Sequence, residues 1–162
     1  FVDSVRLVDG PDAEIAALGG LDTKTVAVVD KLFASLVENV APAADSAARI
    51  AMTEYRVNLQ RYEYTAAAPG VAVFSEIYYP KGWTAYLDGV EAPYFRADYV
   101  LRAMVLPAGT HTVEFRFRAP HYELLSSLTL ISSLLLLGGV AAVAGAAGYR
   151  AYKKRKDNDG QQ

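Results

Sequence analysis

Apolar residues follow an alternating, strand-like pattern over most of the second third of this chain. Short runs rich in β-branched and aromatic residues, separated by Gly, Pro and Asp-Gly turns, predict an antiparallel β domain. The 111–118 stretch shows the period of two most clearly, because Val113, Phe115 and Phe117 share one face. Strands are predicted at residues 49–55, 59–65, 71–78, 83–87, 99–106 and 111–118, and a two-residue hairpin turn is predicted at Asp88-Gly89. The expected fold class is mainly β, an antiparallel sandwich of jelly-roll type.

The first 48 residues predict a small α/β segment that leads into this sandwich. Residues 1–8 and 24–30 have the composition of strands, and between them Gly10-Pro11 opens a short helix with acidic residues in its first turn. The Ala-rich stretch 31–48, with Pro42 near its centre, has no clear period and stays unassigned. The sequence therefore divides into an α/β segment at 1–48 and a β domain at 49–120.

An apolar run without a charged residue occupies positions 124–149 and predicts a transmembrane helix. About 20 apolar residues are needed to cross a hydrocarbon layer about 30 Å thick, and this run exceeds that length. The alternative is a buried core helix, although such helices seldom run this long without a charge. Ser and Thr hydroxyls within the run are expected to bond back to carbonyls one turn earlier. The transmembrane helix is assigned to 121–149 and a basic tail to 150–162.

Charge is distributed unevenly along the chain and predicts its orientation. Residues 1–123 hold 11 basic and 16 acidic side chains, a net charge of −5, whereas 150–162 hold 5 basic and 2 acidic, a net charge of +3. Short basic flanks stay on the cytoplasmic side. We therefore expect a protein of the cytoplasmic membrane with an extracytoplasmic β domain and a cytoplasmic tail. This distribution argues against binding to nucleic acid.

Small residues recur at four-residue spacing in the apolar run, which predicts a helix face where another helix packs closely. An Ala/Gly-rich composition alone also produces such pairs by chance. The partner helix would belong to a second copy or to a further part of the same polypeptide. The helix-packing candidates are Gly138, Ala141, Ala142, Ala144, Gly145 and Gly148.

Recognisable catalytic chemistry is absent from the sequence. There is no Cys, no glycine-rich phosphate loop, no HExxH and no GxSxG, so neither a thiolate site nor a known nucleophile motif is present. The two histidines, His111 and His121, are expected at the surface beside a strand. We assign no catalytic residue, no metal ligand and no cofactor to this chain.

Aromatic and polar residues cluster in one hairpin and the next strand, which raises the question of sugar binding. Glycan sites combine flat rings with carboxylates and guanidinium groups, and those residue types occur here beside Tyr94 and Asp98. The alternative is that Trp83, which follows a Gly turn, only packs in the core. The glycan-contacting candidates are Trp83, Tyr86, Asp88, Arg96, Tyr99 and Arg102.

The stretch from Phe74 to Pro120, "FSEIYYPKGWTAYLDGVEAPYFRADYVLRAMVLPAGTHTVEFRFRAP", resembles the C-terminal part of the bacterial YfhO-type family of multi-pass membrane proteins. The features shared with that family are a Ser-Glu-x-Tyr-Tyr-Pro run, a Trp, an Asp-Gly turn, Arg96 to Arg102, and a Leu-Pro-Ala-Gly-x-His run before a final membrane helix. Residues 1–18 and 22–30 also resemble the region that precedes it.

This resemblance implies that the chain is part of a longer protein, a membrane-embedded glycosyltransferase of the GT-C type that uses a polyprenyl-phosphate sugar and acts on cell-envelope glycans or lipids. The catalytic acid of such enzymes lies in an early extracytoplasmic loop, so no catalytic residue is carried over here. The chain would then have an accessory role, positioning the acceptor or supporting the structure, with the bilayer, neighbouring helices and envelope glycan as partners. The alternative is a non-enzymatic, membrane-anchored interaction module of the envelope.

Overall fold

The computed structural model describes residues 1–42, 44–120 and 122–159, in two units, Phe1–Ala119 and Pro120–Gln162. The first unit is mainly β. Its elements in chain order are β1 Ser4–Val8, α1 Pro11–Leu18, β2 Val26–Asp30, a 3-10 turn Lys31–Phe33, α2 Ala34–Val37, β3 Arg49–Arg56, β4 Leu59–Ala66, β5 Gly70–Ile77, β6 Trp83–Leu87, β7 Val90–Ala92, β8 Phe95–Ala97, β9 Leu101–Leu106 and β10 Gly109–Phe117.

The strands form three sheets. Five antiparallel strands are ordered β3-β4-β10-β6-β7, three antiparallel strands are ordered β5-β9-β8, and β1 pairs in parallel with β2. The parallel pair is joined by α1, which is the connection that parallel strands require. Most of the described β structure is therefore antiparallel, as the alternating pattern predicts.

One hydrophobic cluster is shared by the two antiparallel sheets. The inner side chains of the five-stranded sheet, including Tyr62, Val113 and Phe115, contact Phe74 and Met104 of the three-stranded sheet. Phe74 and Phe115 meet edge to face with ring centroids 5.0 Å apart, a favoured geometry for aromatic pairs. The alternation of inward and outward residues in β4 and β10 follows directly from this burial.

A second cluster covers the other face of the three-stranded sheet. Val71 and Ala103 of that sheet are fully buried against Ala27 and Val29 of β2. The three-stranded sheet is therefore covered on both faces, which explains why β5 and β9 have nearly continuous apolar runs instead of clean alternation. The stretch 31–48, unassigned from sequence, supplies part of this cover through Leu36 and Val37.

Most predicted strands are confirmed within a few residues, and the main difference is at the start of β9. The sequence pattern places Tyr99 in a strand, but β9 begins at Leu101, and Asp98 and Tyr99 have φ of 48° and 69°. The reason is that Asp98 pairs with Val28 instead of extending the strand: its N–H donates to the Val28 carbonyl and its Oδ1 accepts from the Val28 N–H, both at 2.8 Å.

The hairpin turn between β6 and β7 is confirmed. Leu87 pairs with Val90, and Asp88 and Gly89 have φ of 50° and 81°, as a two-residue turn with positive φ at both positions requires. Of the two histidines, His111 lies within β10 and not beside it, and His121 falls outside the described residues.

The described part of the second unit forms one helix, α3, from Tyr122 to Asp159. Its segment Leu124–Arg150 is 27 residues long with a mean hydropathy of 2.1, long and apolar enough to span a membrane. Hydroxyl groups bond back along the helix as expected, with Thr129 donating to the Leu125 carbonyl at 2.9 Å and Ser133 to the Thr129 carbonyl at 2.8 Å. A helix of 38 residues is about 57 Å long, so α3 continues beyond the apolar segment into the basic residues.

Candidate functional site

Arg102 and Trp83, two of the predicted glycan contacts, meet between the antiparallel sheets. Arg102 projects from the inner face of β9 and is only 3% exposed, and its guanidinium carbon lies 4.2 Å from the centre of the Trp83 ring. The same carbon is 5.1 Å from the centre of the Phe115 ring, so the cation rests between two aromatic groups.

Hydrogen bonds fix the Arg102 guanidinium in this position. Its Nη1 donates to Oε1 of Gln60 on β4, and its Nε donates to the carbonyl of Ile77 at the end of β5, both at 2.8 Å. Burial lowers the pKa of Arg102, although the charge of Glu76 partly opposes that shift. Among the described residues, the groups that directly contact the guanidinium are neutral acceptors and aromatic rings. Arg102 therefore connects three strands of the two sheets.

Trp83 is held in place by contacts within the protein. Its ring packs against Arg102 and lies 5.3 Å from the Phe117 ring, and its carbonyl accepts from the Tyr94 hydroxyl at 3.2 Å. The preceding Gly82 has φ of 107°, and a Cβ there would lie 2.8 Å from both the Arg118 carbonyl and the Phe117 ring. These contacts favour the packing role for Trp83.

Tyr86 lies on the opposite face of β6 from Trp83. Side chains alternate along a strand, and Ala85, between them in sequence, points into the shared core. The Tyr86 ring is covered by the Arg116 guanidinium, whose carbon is 4.4 Å from the ring centre. Trp83 and Tyr86 therefore do not contribute to one surface.

Arg116 belongs to a row of charged side chains on the outer face of the five-stranded sheet. Glu114 accepts from Arg116 and, at 2.7 Å, from Nε of Arg61, and these two cations lower the pKa of Glu114 against the opposing effect of burial. Arg61 also contacts Glu54 at 2.6 Å. Alternating charges of this kind stabilise cross-strand pairs.

Asp88 is engaged with His111 at the end of the same sheet. Asp88 Oδ2 lies 2.6 Å from His111 Nδ1, and its Oδ1 accepts from the Thr112 N–H at 2.9 Å. The Thr112 N–H and the imidazole lower the pKa of Asp88, and the hydrogen bond to Asp88 raises the pKa of His111. The pair closes the β6–β7 hairpin onto β10.

Arg96 and Tyr99 belong to a third cluster, formed around Glu14. Glu14, on α1, is fully buried, and its Oε2 accepts from Arg96 Nη2 at 2.6 Å; the backbone of Tyr99 acts against the rise in its pKa. Burial raises the pKa of Glu14, and Asp30, 3.4 Å from Arg96, adds to the rise. Glu14 Oε1 and Arg96 Nε have no hydrogen-bond partner among the described residues.

The sequence analysis did not identify Glu14, because acidic residues in a first helical turn are usually solvent-exposed and favourable there. The available signal was weak: Glu14 is flanked by Ala13 and Ile15, in a helix that contains few other polar residues. Burial of a carboxylate in such a helix requires a cation from elsewhere in the chain, and that cation is Arg96.

The six glycan candidates thus lie in separate places: Trp83 with Arg102, Tyr86 on the outer face, Asp88 at the hairpin, and Arg96 near Tyr99. Among the described residues, no group of three His, Cys, Asp or Glu side chains is arranged to hold a metal ion. Glycan contact by these residues stays a prediction, and the side chains of five of them already contact other protein groups.

The helix-packing candidates lie along an exposed helix. An added Cβ at Gly138, Gly145 or Gly148 meets no described atom within 4 Å, and Ala141, Ala142 and Ala144 are exposed. This openness is compatible with a neighbouring helix. It does not test the prediction, because no second polypeptide is present.

Comparisons of the chain with protein families, with characterised proteins and with solved structures give no match.

Proposed function

We propose that this chain is the extracytoplasmic β domain and last transmembrane helix of a bacterial membrane glycosyltransferase that uses a lipid-linked sugar. In this proposal the β domain has an accessory role, positioning the acceptor or supporting the enzyme. The family resemblance described under Sequence analysis supplies the enzyme class. The observation that carries the membrane part is the apolar segment Leu124–Arg150.

The distribution of charge supports the proposed orientation in the bacterial cytoplasmic membrane. The 13 residues that follow the uncharged run have a net charge of +3, and the 123 residues that precede it have a net charge of −5. Positive flanks are retained in the cytoplasm, so the β domain would face the outside. The tail beyond Arg150 would then lie in the cytoplasm.

The architecture of the first unit supports an accessory role. We propose that the two antiparallel sheets form the layers of a sandwich, with the shared cluster around Phe74 and Phe115 as its core. Within the described residues, the charged side chains nearest that core are engaged in internal contacts, as in Arg102 with Gln60. An enzyme built this way would place its reacting groups elsewhere in the polypeptide.

A non-enzymatic, membrane-anchored interaction module is the second candidate function. The internal use of Arg96, Arg102 and Asp88 favours it, since these side chains are the ones a glycan site would employ. The two candidates differ in the polypeptide that precedes Phe1. Several hydrophobic spans with an acidic extracytoplasmic loop support the transferase, whereas a signal peptide immediately before Phe1 supports the module.

The orientation is tested with single cysteines, which are clean probes because the chain has no native cysteine. One variant carries Val57→Cys, at a position that is 93% exposed in the β3–β4 turn, and the other carries Asp159→Cys. We expect a membrane-impermeant maleimide to label the first in intact spheroplasts and the second only after the membrane is opened. Labelling in the reverse order would refute the proposed orientation, and solubility of the chain without detergent would refute the membrane assignment.

A further inference from the structure

One edge of β5 has backbone groups that face away from its partner strand. β5 pairs with β9 on one side, and on the other side the one described residue it pairs with is Val2, whose N–H donates to the Val71 carbonyl at 3.0 Å. Because outward and inward pairing groups alternate along a strand, the next outward residue is Val73. No described backbone group pairs with Val73 on this side.

A groove of about 590 Å³ lies along this edge. Val73 and Leu101 of the three-stranded sheet supply apolar lining, and Ser75 continues β5 along the groove. The other lining residues include Leu18 and Thr23, which belong to α1 and the loop that follows it. Lys24 and Asp98 also line the groove, so it is bounded by one strand edge and by both apolar and charged side chains.

We propose that this groove binds an extended polypeptide strand that runs antiparallel to β5 and continues the pairing begun by Val2. The occupant is the segment that directly precedes Phe1 in the parent protein, so the inference rests on the proposed function. The register follows from the pairing of Val2 with Val71: Phe1 falls opposite Ala72, and the residue before Phe1 falls opposite Val73. The strand would add a fourth member to the three-stranded sheet.

The edge lacks the features that usually prevent strand addition. Exposed edge strands are protected by Lys, Pro or inward-pointing charges, and β5 contains only one charged residue, Glu76, and no Lys or Pro. Strand addition gives main-chain hydrogen bonds, and pockets for alternate side chains select the sequence. The apolar lining at Val73 and Leu101 therefore selects an apolar side chain on the face of the added strand that points into the groove.

Amide hydrogen exchange tests the added strand by comparing this chain with its longer parent, both in detergent micelles. The Val73 N–H is expected to exchange about fivefold or more slowly in the parent, since one added hydrogen bond contributes roughly 1 kcal/mol. Ala72 and Phe74, whose groups face β9, serve as internal references that change little. Slow exchange at Val73 already in the 162-residue chain would overturn the free-edge premise.

Disulfide formation tests the register. A cysteine placed immediately before Phe1 is combined with Val73→Cys or, as the matched control, with the 69% exposed Ile77→Cys. Antiparallel partners about 5.5 Å apart at Cα are within disulfide reach, whereas a site four residues along is about 13 Å further. We expect the first pair to cross-link and the control pair not to. If the longer parent protein shows fast exchange at Val73 and no cross-link, only this inference is refuted. If the open reading frame encodes no polypeptide before Phe1, the proposed parent protein itself is refuted.

Discussion

Replacement of Arg102 by Met tests the claim that a buried guanidinium joins the antiparallel sheets. Met is flexible and fills much of the same space, so the substitution removes the charge and the donors with little change in packing. Gln60, itself only 3% exposed, then loses the donor at 2.8 Å that its Oε1 accepts from. The carbonyl of Ile77 loses its donor as well.

The expected cost is the sum of opposing contributions. A buried acceptor left without a donor costs about 1–3 kcal/mol. Loss of the cation from the Trp83 ring removes about 1–2 kcal/mol more. Relief from burying a charge offsets part of both, because desolvation of an ion is itself unfavourable. We expect Arg102→Met to lower the free energy of unfolding by about 2–3 kcal/mol.

Fluorescence of the single tryptophan during urea denaturation in detergent measures this change. Trp83 lies under Arg102, and it is the only Trp, so the signal reports the β unit and not the helix. With a urea dependence of roughly 1–3 kcal/mol per molar, the midpoint should fall by about 1 M. Arg116→Met is the matched control: that side chain is half exposed over Tyr86, and its loss should cost less than about 1 kcal/mol.

A double-mutant cycle separates the cost of the unpaired acceptor from other effects. In Arg102→Met/Gln60→Leu both partners are apolar, so the double variant should be about 1–2 kcal/mol more stable than the sum of the single losses predicts. An unchanged or raised midpoint for Arg102→Met, together with additivity in the cycle, would show that the guanidinium does not connect the sheets.

Three further expectations follow from the other clusters. Because burial raises the pKa of Glu14, the stability that this carboxyl contributes is present at acid pH and is lost as pH rises through its raised folded-state pKa. Urea midpoints of the wild type should therefore fall relative to those of Glu14→Gln as pH rises above the ordinary glutamate range, and parallel curves would contradict this. In the same assay, Gly82→Ala should lower the free energy of unfolding clearly more than Gly89→Ala. Both glycines have positive φ, which costs a side chain about 1–3 kcal/mol, but only at Gly82 would the added Cβ lie 2.8 Å from a backbone carbonyl. Equal losses in the two variants would contradict this contact. In an NMR titration, the pKa of the His111 imidazole should lie above the ordinary histidine range and move back towards it in Asp88→Asn. The stability that this pair contributes should be lost above the raised pKa of His111 and below the lowered pKa of Asp88. An unchanged titration midpoint of His111 in the variant would exclude the interaction.

Local patterns in the sequence were sufficient to predict most of the strands. Alternation in β10, the Asp-Gly turn and the Pro at the start of α1 all express backbone preferences that act over a few residues, and each is found in the structure. The apolar run likewise depends only on composition and length, and it forms the helix α3. These features need no knowledge of distant contacts.

The predicted glycan cluster depended on closeness in sequence, which did not indicate closeness in space. Residues 83 and 86 point to opposite faces of one strand, and Arg96 and Arg102 lie in different buried environments. Glu14, which binds Arg96, lies 82 positions away from it in the chain, and Gln60, which binds Arg102, lies 42 positions away. A single sequence contains no local signal for such pairings, since a polar residue is written the same way whether its side chain is buried or exposed.

The three-stranded sheet has one face against the five-stranded sheet and the other partly against β2, so most of its apolar side chains are buried. Residues 1–48 are consequently not a detachable module, because without them Val71, Phe95 and Ala103 would be open to water. A recombination event or a designed chimera that joined this β domain to a different N-terminal segment would have to supply a replacement layer of matching shape. The usable boundary for exchange is instead the short connection near Ala119, where the first unit ends.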